Sequence, residues 1–262
     1  MYPYDLFFGL DLYDLLIVLG FFGALVYFRF WGDRRHFSSG YQNLCIICGL
    51  AGIIGGYGAA VVTQAFYNYL ESGVFEIVSG TGATFYGGLI GGALLFLLLY
   101  FVGGRLFLRQ ESVTKPFFLL SEIASGSIAL AHGFGRLGCL FAGCCHGAVT
   151  DAWFGIYNAQ LDAKTVPVQL FEALFLFVLV GFMTWRLHRG LRGNLGVYLT
   201  FYAVWRFLIE FLRGDDRGQS LIPALSPSQM VAILLFAVGI GVWLLEYCLA
   251  KPKTGHEEER DA

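Results

Sequence analysis

The chain of 262 residues is strongly apolar, because hydrophobic residues make up 57% of it, aromatic residues 17% and charged residues only 14%. Soluble domains carry roughly 25% charged residues, whereas the mean hydropathy of this chain is +0.65. The composition excludes a soluble globular enzyme and a disordered chain, and the formal charge of −2 offers no basic surface for nucleic acid.

Long runs with few charges predict an all-α, polytopic membrane protein with seven transmembrane helices, because about 20 apolar residues cross a bilayer. The predicted spans are 12–30, 44–66, 82–103, 117–135, 167–187, 195–213 and 227–249. The first five residues contain no Lys or Arg and so lack the basic region of a secretory signal peptide. This favours a first span that is retained in the mature protein.

The basic residues alternate along the connections between the spans. Twelve of the seventeen follow spans one, three, five and seven: Arg29, Arg34, Arg35, Arg105, Arg109, Lys115, Arg186, Arg189, Arg192, Lys251, Lys253 and Arg260. Because cytoplasmic loops concentrate Lys and Arg, we expect the N-terminus outside and the C-terminus in the cytoplasm. We expect a single membrane domain over 1–250, with a small outer cap at about 136–166 and a charged cytoplasmic tail over 251–262.

Glycines recur at short spacing in spans two and three. Span two contains Gly49, Gly52, Gly55, Gly56 and Gly58, and span three contains Gly87, Gly88, Gly91 and Gly92. Small residues allow helix backbones to approach closely in lipid, which is one interpretation of this pattern. The other is that Tyr86-Gly87-Gly88 leaves room for a lipid headgroup or acyl chain.

The segment 132–147 combines a histidine, an arginine and several glycines. If the segment begins as a helix, His132 and Arg136 share one face at i and i+4. Its later glycines are expected to end the helix and leave backbone N–H groups free. An arginine beside free N–H groups is a general phosphate-binding arrangement.

The cysteines leave several possibilities open. Cys45 and Cys48 lie inside span two, whereas Cys139, Cys144 and Cys145 cluster with His146 near the predicted outer surface. The cysteines are compatible with a zinc site, a redox-active thiol pair or an outer-face disulfide. We expect no metal, because adjacent cysteines are poorly placed to share one tetrahedral ion.

Ionisable residues inside the last spans must be paired or functional, because a charge at bilayer depth costs several kcal/mol. Glu172 lies in the first two turns of span five, after Pro167, and is interpreted as a fixed structural partner. Span six carries Tyr198, Tyr202, Arg206, Glu210 and Arg213 on one polar stripe. An Arg206–Glu210 pair that neutralises itself is one interpretation. We favour a polar cavity whose surplus positive charge suits an anionic ligand.

Five motifs in chain order resemble those of the prolipoprotein diacylglyceryl transferase family. They are Leu12-Tyr13-Asp14, Tyr86-Gly87-Gly88-Leu89-Ile90-Gly91, Gly135-Arg136-Leu137-Gly138-Cys139-Leu140-Phe141-Ala142-Gly143, Pro167-x-Gln169-Leu170-Phe171-Glu172 and Tyr202-Ala203-Val204-Trp205-Arg206-Phe207-Leu208-Ile209-Glu210-Phe211-Leu212-Arg213-Gly214-Asp215. The motifs extend over most of the chain, and the seven predicted spans fit the family's topology.

The resemblance implies a bacterial inner-membrane transferase without a cofactor. Such an enzyme moves a diacylglyceryl group from phosphatidylglycerol to the lipobox cysteine thiol of a prolipoprotein and releases glycerol 1-phosphate. Its partners would be phosphatidylglycerol, the prolipoprotein signal-peptide region and membrane lipid. Arg136 and Arg206 would bind the phosphate and Glu210 would hold Arg206. The residues expected to contact substrate are Tyr13, Gly87, Gly88, His132, Gly138, Cys139, Gln169, Glu172, Tyr202 and Arg213.

The sequence departs from the family pattern at the residue expected to accept the thiol proton. Tyr86 stands where the motif has histidine, and a phenol with a pKa of about 10 is a poor base at neutral pH. Cys139 stands where many members have asparagine, and Cys144-Cys145-His146 replaces a stretch like Gly-Glu-x-Trp-Gly-Arg. Tyr86 and His146 are kept as candidate catalytic residues, and either His146 or His132 would supply the imidazole that the motif lacks here.

The sequence is also compatible with three rival functions. One is a related transferase that uses phospholipid but another acceptor. The second is a non-catalytic anion- or lipid-binding transporter, and the third is a thiol–disulfide protein that uses Cys139, Cys144 and Cys145.

Overall fold

The computed structural model describes residues 9–75, 77, 85–108, 114–214 and 224–250. Within these ranges, seven helices are long and apolar enough to cross a membrane, which confirms the predicted fold class. They are α1 (Leu12–Arg34), α2 (Ser39–Ser72), α3 (Phe85–Phe107), α4 (Thr114–Ala142), α5 (Val168–His188), α6 (Asn194–Ile209) and α7 (Pro227–Ala250). A 3-10 turn, Glu210–Leu212, follows α6. The predicted tail at 251–262 lies outside the described residues, and the orientation of the termini stays a prediction.

The chain divides into two compact units. The larger unit consists of Met1–Phe30 and Ser121–Ala262, and the smaller unit consists of Trp31–Leu120. In the larger unit, a core of buried residues joins α4, α5 and α6: Ala129, Leu176, Leu179, Met183, Val197 and Tyr198. Beside it, the rings of Phe175 on α5 and Trp205 on α6 stack with centroids 4.5 Å apart. The expectation of a single domain over 1–250 stays a prediction.

In the smaller unit, α2 and α3 pack through their glycines. A Cβ atom placed on Gly92 would lie 2.7 Å from the carbonyl oxygen of Gly52, and one on Gly88 would lie 3.2 Å from Cβ of Ala60. The two backbones therefore touch where any side chain would separate them, which confirms the close-packing interpretation. Gly87 likewise lies against Thr63.

Helix α4 continues through Gly133, Gly135 and Gly138 and ends at Ala142, before Gly143, whose φ is +79°. The expectation that later glycines end the helix is therefore confirmed at Gly143 and wrong for the glycines before it. The glycines make room for aromatic rings instead. A Cβ atom on Gly138 would lie 3.0 Å from Cδ2 of Tyr13 on α1, and one on Gly133 would lie 2.7 Å from the ring of Phe177 on α5. Because the residues around Gly138 are helical, the predicted free N–H groups for phosphate are not present there.

The connection between α4 and α5 begins after Ala142 rather than at about 136, because α4 is longer than predicted. It contains two short strands that the sequence did not predict, β1 (Ile156–Asn158) and β2 (Ala163–Thr165), which pair antiparallel. The backbone N–H of Ala148 donates to the carbonyl of Leu212. The cap is thereby joined to the 3-10 turn that follows α6.

Candidate active site

A buried ion pair joins α4 to α5 in the larger unit. Nε of Arg136 lies 3.1 Å from Oε2 of Glu172, and Glu172 is completely buried, at 0% exposure. A carboxylate taken out of water costs several kcal/mol unless a cation and hydrogen bonds compensate it. Arg136 supplies the cation, and the carboxylate in return fixes the position of the guanidinium group.

Two tyrosines of α6 complete this arrangement. The hydroxyl of Tyr202 donates to Oε1 of Glu172 at 2.7 Å, and the hydroxyl of Tyr198 lies 3.2 Å from Nδ1 of His132. Nε of Arg136 donates to Nε2 of His132 at 3.4 Å, so Nε2 is the acceptor and Nδ1 carries the proton. These five residues are called the Arg136 network. His132 is held in it as a neutral ring whose acceptor nitrogen Arg136 already uses.

A second group of charges lies at the end of α6. Nη1 of Arg206 lies 2.6 Å from Oε2 of Glu210, and Nε of Arg213 lies 3.8 Å from the same oxygen. Nη2 of Arg206 donates to Oγ of Ser228 at 2.8 Å, and the hydroxyl of Ser226 donates to Oε1 of Glu210 at 2.7 Å. These five residues are called the Arg206 network. The predicted Arg206–Glu210 pair is confirmed, but its carboxylate is shared by two arginines.

Ser226 and Ser228 were not predicted as site residues. The sequence Ser226-Pro227-Ser228 is typical of a helix start, and α7 does begin at Pro227. Nothing in that local pattern indicates that Ser228 contacts an arginine of another helix.

Together the two networks carry surplus positive charge. Among the residues that the structure describes, the guanidinium groups of Arg136, Arg206 and Arg213 face the carboxylates of Glu172 and Glu210, which leaves three minus two, or one, net positive charge in these two networks. Arg206 also interacts electrostatically with His132. The two networks are therefore close enough for their charges to influence each other. Buried guanidinium groups in excess over carboxylates are suited to bind an anionic oxygen group.

The thiols of three cysteines lie beside these charges. The Sγ atoms of Cys139, Cys144 and Cys145 all lie within 4.8 Å of one another. Adjacent cysteines were expected to be poorly placed to share one ion, but the thiols of Cys144 and Cys145 both lie close to that of Cys139. Gln169, almost completely buried, donates from Nε2 to the carbonyl oxygen of Cys144 at 2.7 Å. The predicted substrate residue Gln169 thus supports the cysteine turn.

The thiol of Cys145 has a lowered pKa. Hydrogen bonds with the thiols of Cys139 and Cys144 are the main cause, and the positive charges of Arg213 and Arg136 add to them. Cations and donated hydrogen bonds stabilise a thiolate relative to a thiol. The cysteines are therefore in electrostatic contact with both arginine networks.

The structure does not bring every predicted residue into this group. Nδ1 of His146 lies 2.9 Å from the carbonyl oxygen of Gly147, and in the part of the chain that the structure describes His146 shows no contact with either arginine network. The side chain of Tyr86 lies outside the described residues. Gly87 and Gly88 belong to the smaller unit, where they pack against α2. Their roles in catalysis or substrate binding stay predictions.

A buried acid that the sequence analysis did not select lies at the other end of α6. Both oxygens of Glu122 accept backbone N–H groups, from Gly193 at 2.5 Å and from Asn194 at 2.8 Å. Nε of Arg186 donates to Oδ1 of Asn194 at 2.9 Å. Glu122 therefore caps the N-terminus of α6. Its carboxylate interacts favourably with the positive end of the helix dipole. The sequence feature that could have identified Glu122 is its position as an acidic residue inside an apolar span.

The fold and the site define a multi-pass membrane protein with a cluster of partly buried arginines. A family model described as prolipoprotein diacylglyceryl transferase matches residues 4–245. The chain belongs to this family.

Curated relatives match over nearly the whole chain. The phosphatidylglycerol–prolipoprotein diacylglyceryl transferase 2 of Clostridium perfringens is 30% identical over 260 residues, which cover 95% of this chain and 97% of the relative. The phosphatidylglycerol–prolipoprotein diacylglyceryl transferase of Clostridium tetani is 28% identical, with 91% and 95% covered. That of Dehalococcoides mccartyi is 30% identical, with 87% and 86% covered.

Proposed function

We propose that this protein transfers a diacylglyceryl group from phosphatidylglycerol to the lipobox cysteine thiol of a prolipoprotein and releases glycerol 1-phosphate. The observation that carries the proposal is the surplus of positive charge that the partly buried Arg136, Arg206 and Arg213 form among the described residues. The names of the bacterial relatives state both substrates. The protein is accordingly a multi-pass protein of the bacterial cytoplasmic membrane, and we propose that its N-terminus lies outside.

The phosphate of the lipid donor would lie against Arg136 and Arg206. In phosphatidylglycerol the phosphodiester carries one negative charge, and a second develops as the bond between the glycerol carbon and the phosphate oxygen breaks. Guanidinium groups that are already oriented stabilise that developing charge without reorganising. Catalysis by this site is therefore electrostatic stabilisation of a leaving phosphate.

The partners of the arginines act as positioning residues. Glu172 is held by Tyr202 and aligns Arg136, whereas Glu210 aligns both Arg206 and Arg213. A displacement of about 1 Å at a reacting centre costs about 10²-fold in rate. The carboxylates thus contribute to the rate through the arginines, without contacting the lipid.

The acceptor thiol must lose its proton, because the thiolate is the nucleophile. His132 is poorly placed to take this proton, since its Nε2 accepts from Arg136. Tyr86 and His146 stay candidates for the proton acceptor.

The proposed reaction is tested with purified protein in detergent, phosphatidylglycerol and a lipobox peptide. Mass spectrometry measures the diacylglyceryl-modified peptide and the released glycerol phosphate. We expect both products from the wild type, and neither from Arg136→Ala. The matched control is Arg105→Ala, which removes an exposed arginine at the end of α3 and should leave both products unchanged.

Arg136→Ala leaves the buried charge of Glu172 unpaired, so loss of activity must be separated from unfolding. The double variant Arg136→Met/Glu172→Gln removes both charges and should remain folded but inactive. Phospholipid turnover without peptide modification would indicate a transferase with another acceptor. Neither product from folded wild-type protein would favour a non-catalytic anion-binding role.

A further inference from the structure

The thiols of Cys139, Cys144 and Cys145 converge on one point of the larger unit. Cys139 lies in the last turn of α4, and the other two follow the helix end at Ala142. All three are free cysteines, partly buried, with Sγ atoms within 4.8 Å of one another. Such a group offers three soft ligand atoms from a short stretch of chain.

The backbone turn explains how neighbouring cysteines converge. Gly143 and Cys145 both have left-handed φ angles, of +79° and +57°. The chain therefore reverses sharply after α4 and returns Cys144 and Cys145 toward Cys139. Left-handed backbone at a residue other than glycine costs about 1–3 kcal/mol and persists where the surroundings hold it. Here Asn158 donates to the carbonyl of Gly143 at 2.9 Å.

The spacing of the three sulfur atoms fits a tetrahedral ion. At a Zn–S distance of about 2.3 Å, sulfur atoms on a tetrahedron lie about 3.8 Å apart. The three Sγ atoms lie within 4.8 Å of one another, so each needs to move inward by less than about 1 Å. Thiolate sulfur is a preferred ligand of zinc, and zinc sites with three protein ligands keep the fourth position for water or substrate.

The surrounding charges also suit such an ion. Zinc with three thiolates carries a net charge of about −1. Arg136 interacts electrostatically with Cys139 and Cys145, and Arg213 interacts with Cys145. The guanidinium groups of Arg136 and Arg213 would therefore lie near this negative charge and interact favourably with it. An ion there would also lie beside the guanidinium group that binds the donor phosphate.

We propose that Cys139, Cys144 and Cys145 bind a zinc ion that takes the acceptor thiol, as a thiolate, in its fourth coordination position. This role rests on the transferase function proposed above. Within the described part of the Arg136 network, Nε2 of His132 and both oxygens of Glu172 are already engaged. Binding to zinc activates the thiol without a general base, because a coordinating thiol is deprotonated.

The proposed step balances without any redox change. The acceptor thiol displaces water from zinc and releases its proton to solvent. A sulfur lone pair then attacks the glycerol carbon and forms the carbon–sulfur bond. The bond between this carbon and the phosphate oxygen breaks, and its electron pair leaves with glycerol 1-phosphate. The neutral thioether dissociates from zinc, and water takes its place.

The metal content of the protein is the first test. The protein is purified without a histidine tag or chelator, and zinc is measured by mass spectrometry. We expect about one zinc ion per chain in the wild type, and loss of zinc from Cys144→Ser and Cys145→Ser variants whose folding is checked by thermal unfolding. The matched control is Cys45→Ala/Cys48→Ala, which changes cysteines of α2 and should retain the zinc.

The absorption spectrum of the Co²⁺-substituted protein then tests whether the acceptor thiol is the fourth ligand. Replacement of zinc by Co²⁺ should give sulfur-to-cobalt charge-transfer absorption, which a lipobox peptide should change and the same peptide with Ser for Cys should not. Removal of zinc should lower the rate of peptide modification roughly 100-fold, which is the smaller of the usual effects of losing assistance to proton transfer. Added zinc should restore the rate.

The results separate this site from the transferase function. Full activity in metal-free protein, or a disulfide among the three cysteines in the active enzyme, would overturn the zinc site and leave the transferase intact. An unchanged cobalt spectrum with the cysteine peptide would overturn the fourth-ligand role. A cobalt spectrum that responds to the thiol in folded protein without any lipid transfer would support the metal site and overturn the proposed function.

Discussion

Arg136 on α4 and Glu172 on α5 form an ion pair in which Nε and Oε2 are 3.1 Å apart and the carboxylate has no solvent exposure. The other oxygen of Glu172 accepts the hydroxyl of Tyr202 on α6 at 2.7 Å. Three helices are therefore joined through one carboxyl group. The position of the arginine depends on residues that need not touch a substrate.

Replacement of Glu172 should separate stability from catalysis. Glu172→Ala leaves the partly buried charge of Arg136 without its carboxylate, and we expect a loss of about 3 kcal/mol in the free energy of unfolding, the lower end of the usual cost of breaking a buried pair. Arg136→Met/Glu172→Gln should recover most of that stability but no activity. Thermal unfolding in detergent and the peptide-modification assay measure the two effects. An unchanged unfolding temperature for Glu172→Ala would contradict the structural role of the pair.

The two tyrosines of the Arg136 network should differ in importance. Tyr202→Phe removes a 2.7 Å hydrogen bond to a carboxylate, whereas Tyr198→Phe removes a 3.2 Å bond to the ring of His132. Hydrogen bonds to charged groups contribute about 1.5–3 kcal/mol and neutral ones about 0.5–1.5. We expect kcat to fall roughly tenfold or more for Tyr202→Phe, corresponding to about 1.4 kcal/mol, and less for Tyr198→Phe.

Steady-state kinetics with the lipobox peptide test this order. Because Tyr202 acts on Arg136 through Glu172, its loss should lower kcat more than it raises KM for phosphatidylglycerol. Equal effects of the two substitutions would show that the carboxylate does not depend on Tyr202.

The contacts within a helix could be predicted from the sequence. Lipid requires continuous apolar runs, so the seven spans are visible in the composition of the chain. The i,i+4 spacing predicted a shared face for His132 and Arg136 and for Arg206 and Glu210, and both pairs are in contact. A period of 3.6 residues determines such neighbours without knowledge of the rest of the fold.

The contacts between helices could not be predicted in the same way. No local pattern specifies that Arg136 pairs with Glu172, or that Ser228 contacts Arg206. The end of α4 was misplaced because a glycine is read as a helix breaker, although Gly138 packs against Tyr13. The cysteine turn depends on the backbone conformation of Cys145, which residue types alone do not determine.

Replacement by alanine should have different effects on the stability of two glycines that both lie inside helices. A Cβ atom on Gly138 would lie 3.0 Å from Cδ2 of Tyr13, whereas one on Gly181 of α5 would meet nothing within 4 Å. Gly138→Ala must displace the Tyr13 ring, and we expect a loss of about 1–3 kcal/mol, as for overpacking. Gly181→Ala should be neutral or stabilising by up to about 1 kcal/mol from helix propensity. Thermal unfolding of both variants measures this difference. Equal shifts in the unfolding temperature would contradict the close contact between Gly138 and Tyr13.

The cap on α6 should contribute to stability with little effect on the chemistry. Glu122→Gln replaces one acceptor oxygen by an NH₂ group that faces a backbone N–H of Gly193 or Asn194. We expect a loss of about 1–3 kcal/mol in the free energy of unfolding, because a buried donor is left unsatisfied. Ser121→Ala removes a 3.4 Å contact of the hydroxyl to Oε1 of Glu246 without leaving a buried backbone N–H opposite another donor, and should cost less.

Activity provides the second measurement on these cap variants. Asn194 and Arg206 are twelve residues apart on α6, or about 18 Å at 1.5 Å per residue. Below its lowered unfolding temperature, Glu122→Gln should therefore keep kcat and KM for phosphatidylglycerol close to the wild-type values. A large fall in kcat in folded protein would instead show that the start of α6 controls the position of Arg206, and the cap would then be part of the catalytic arrangement.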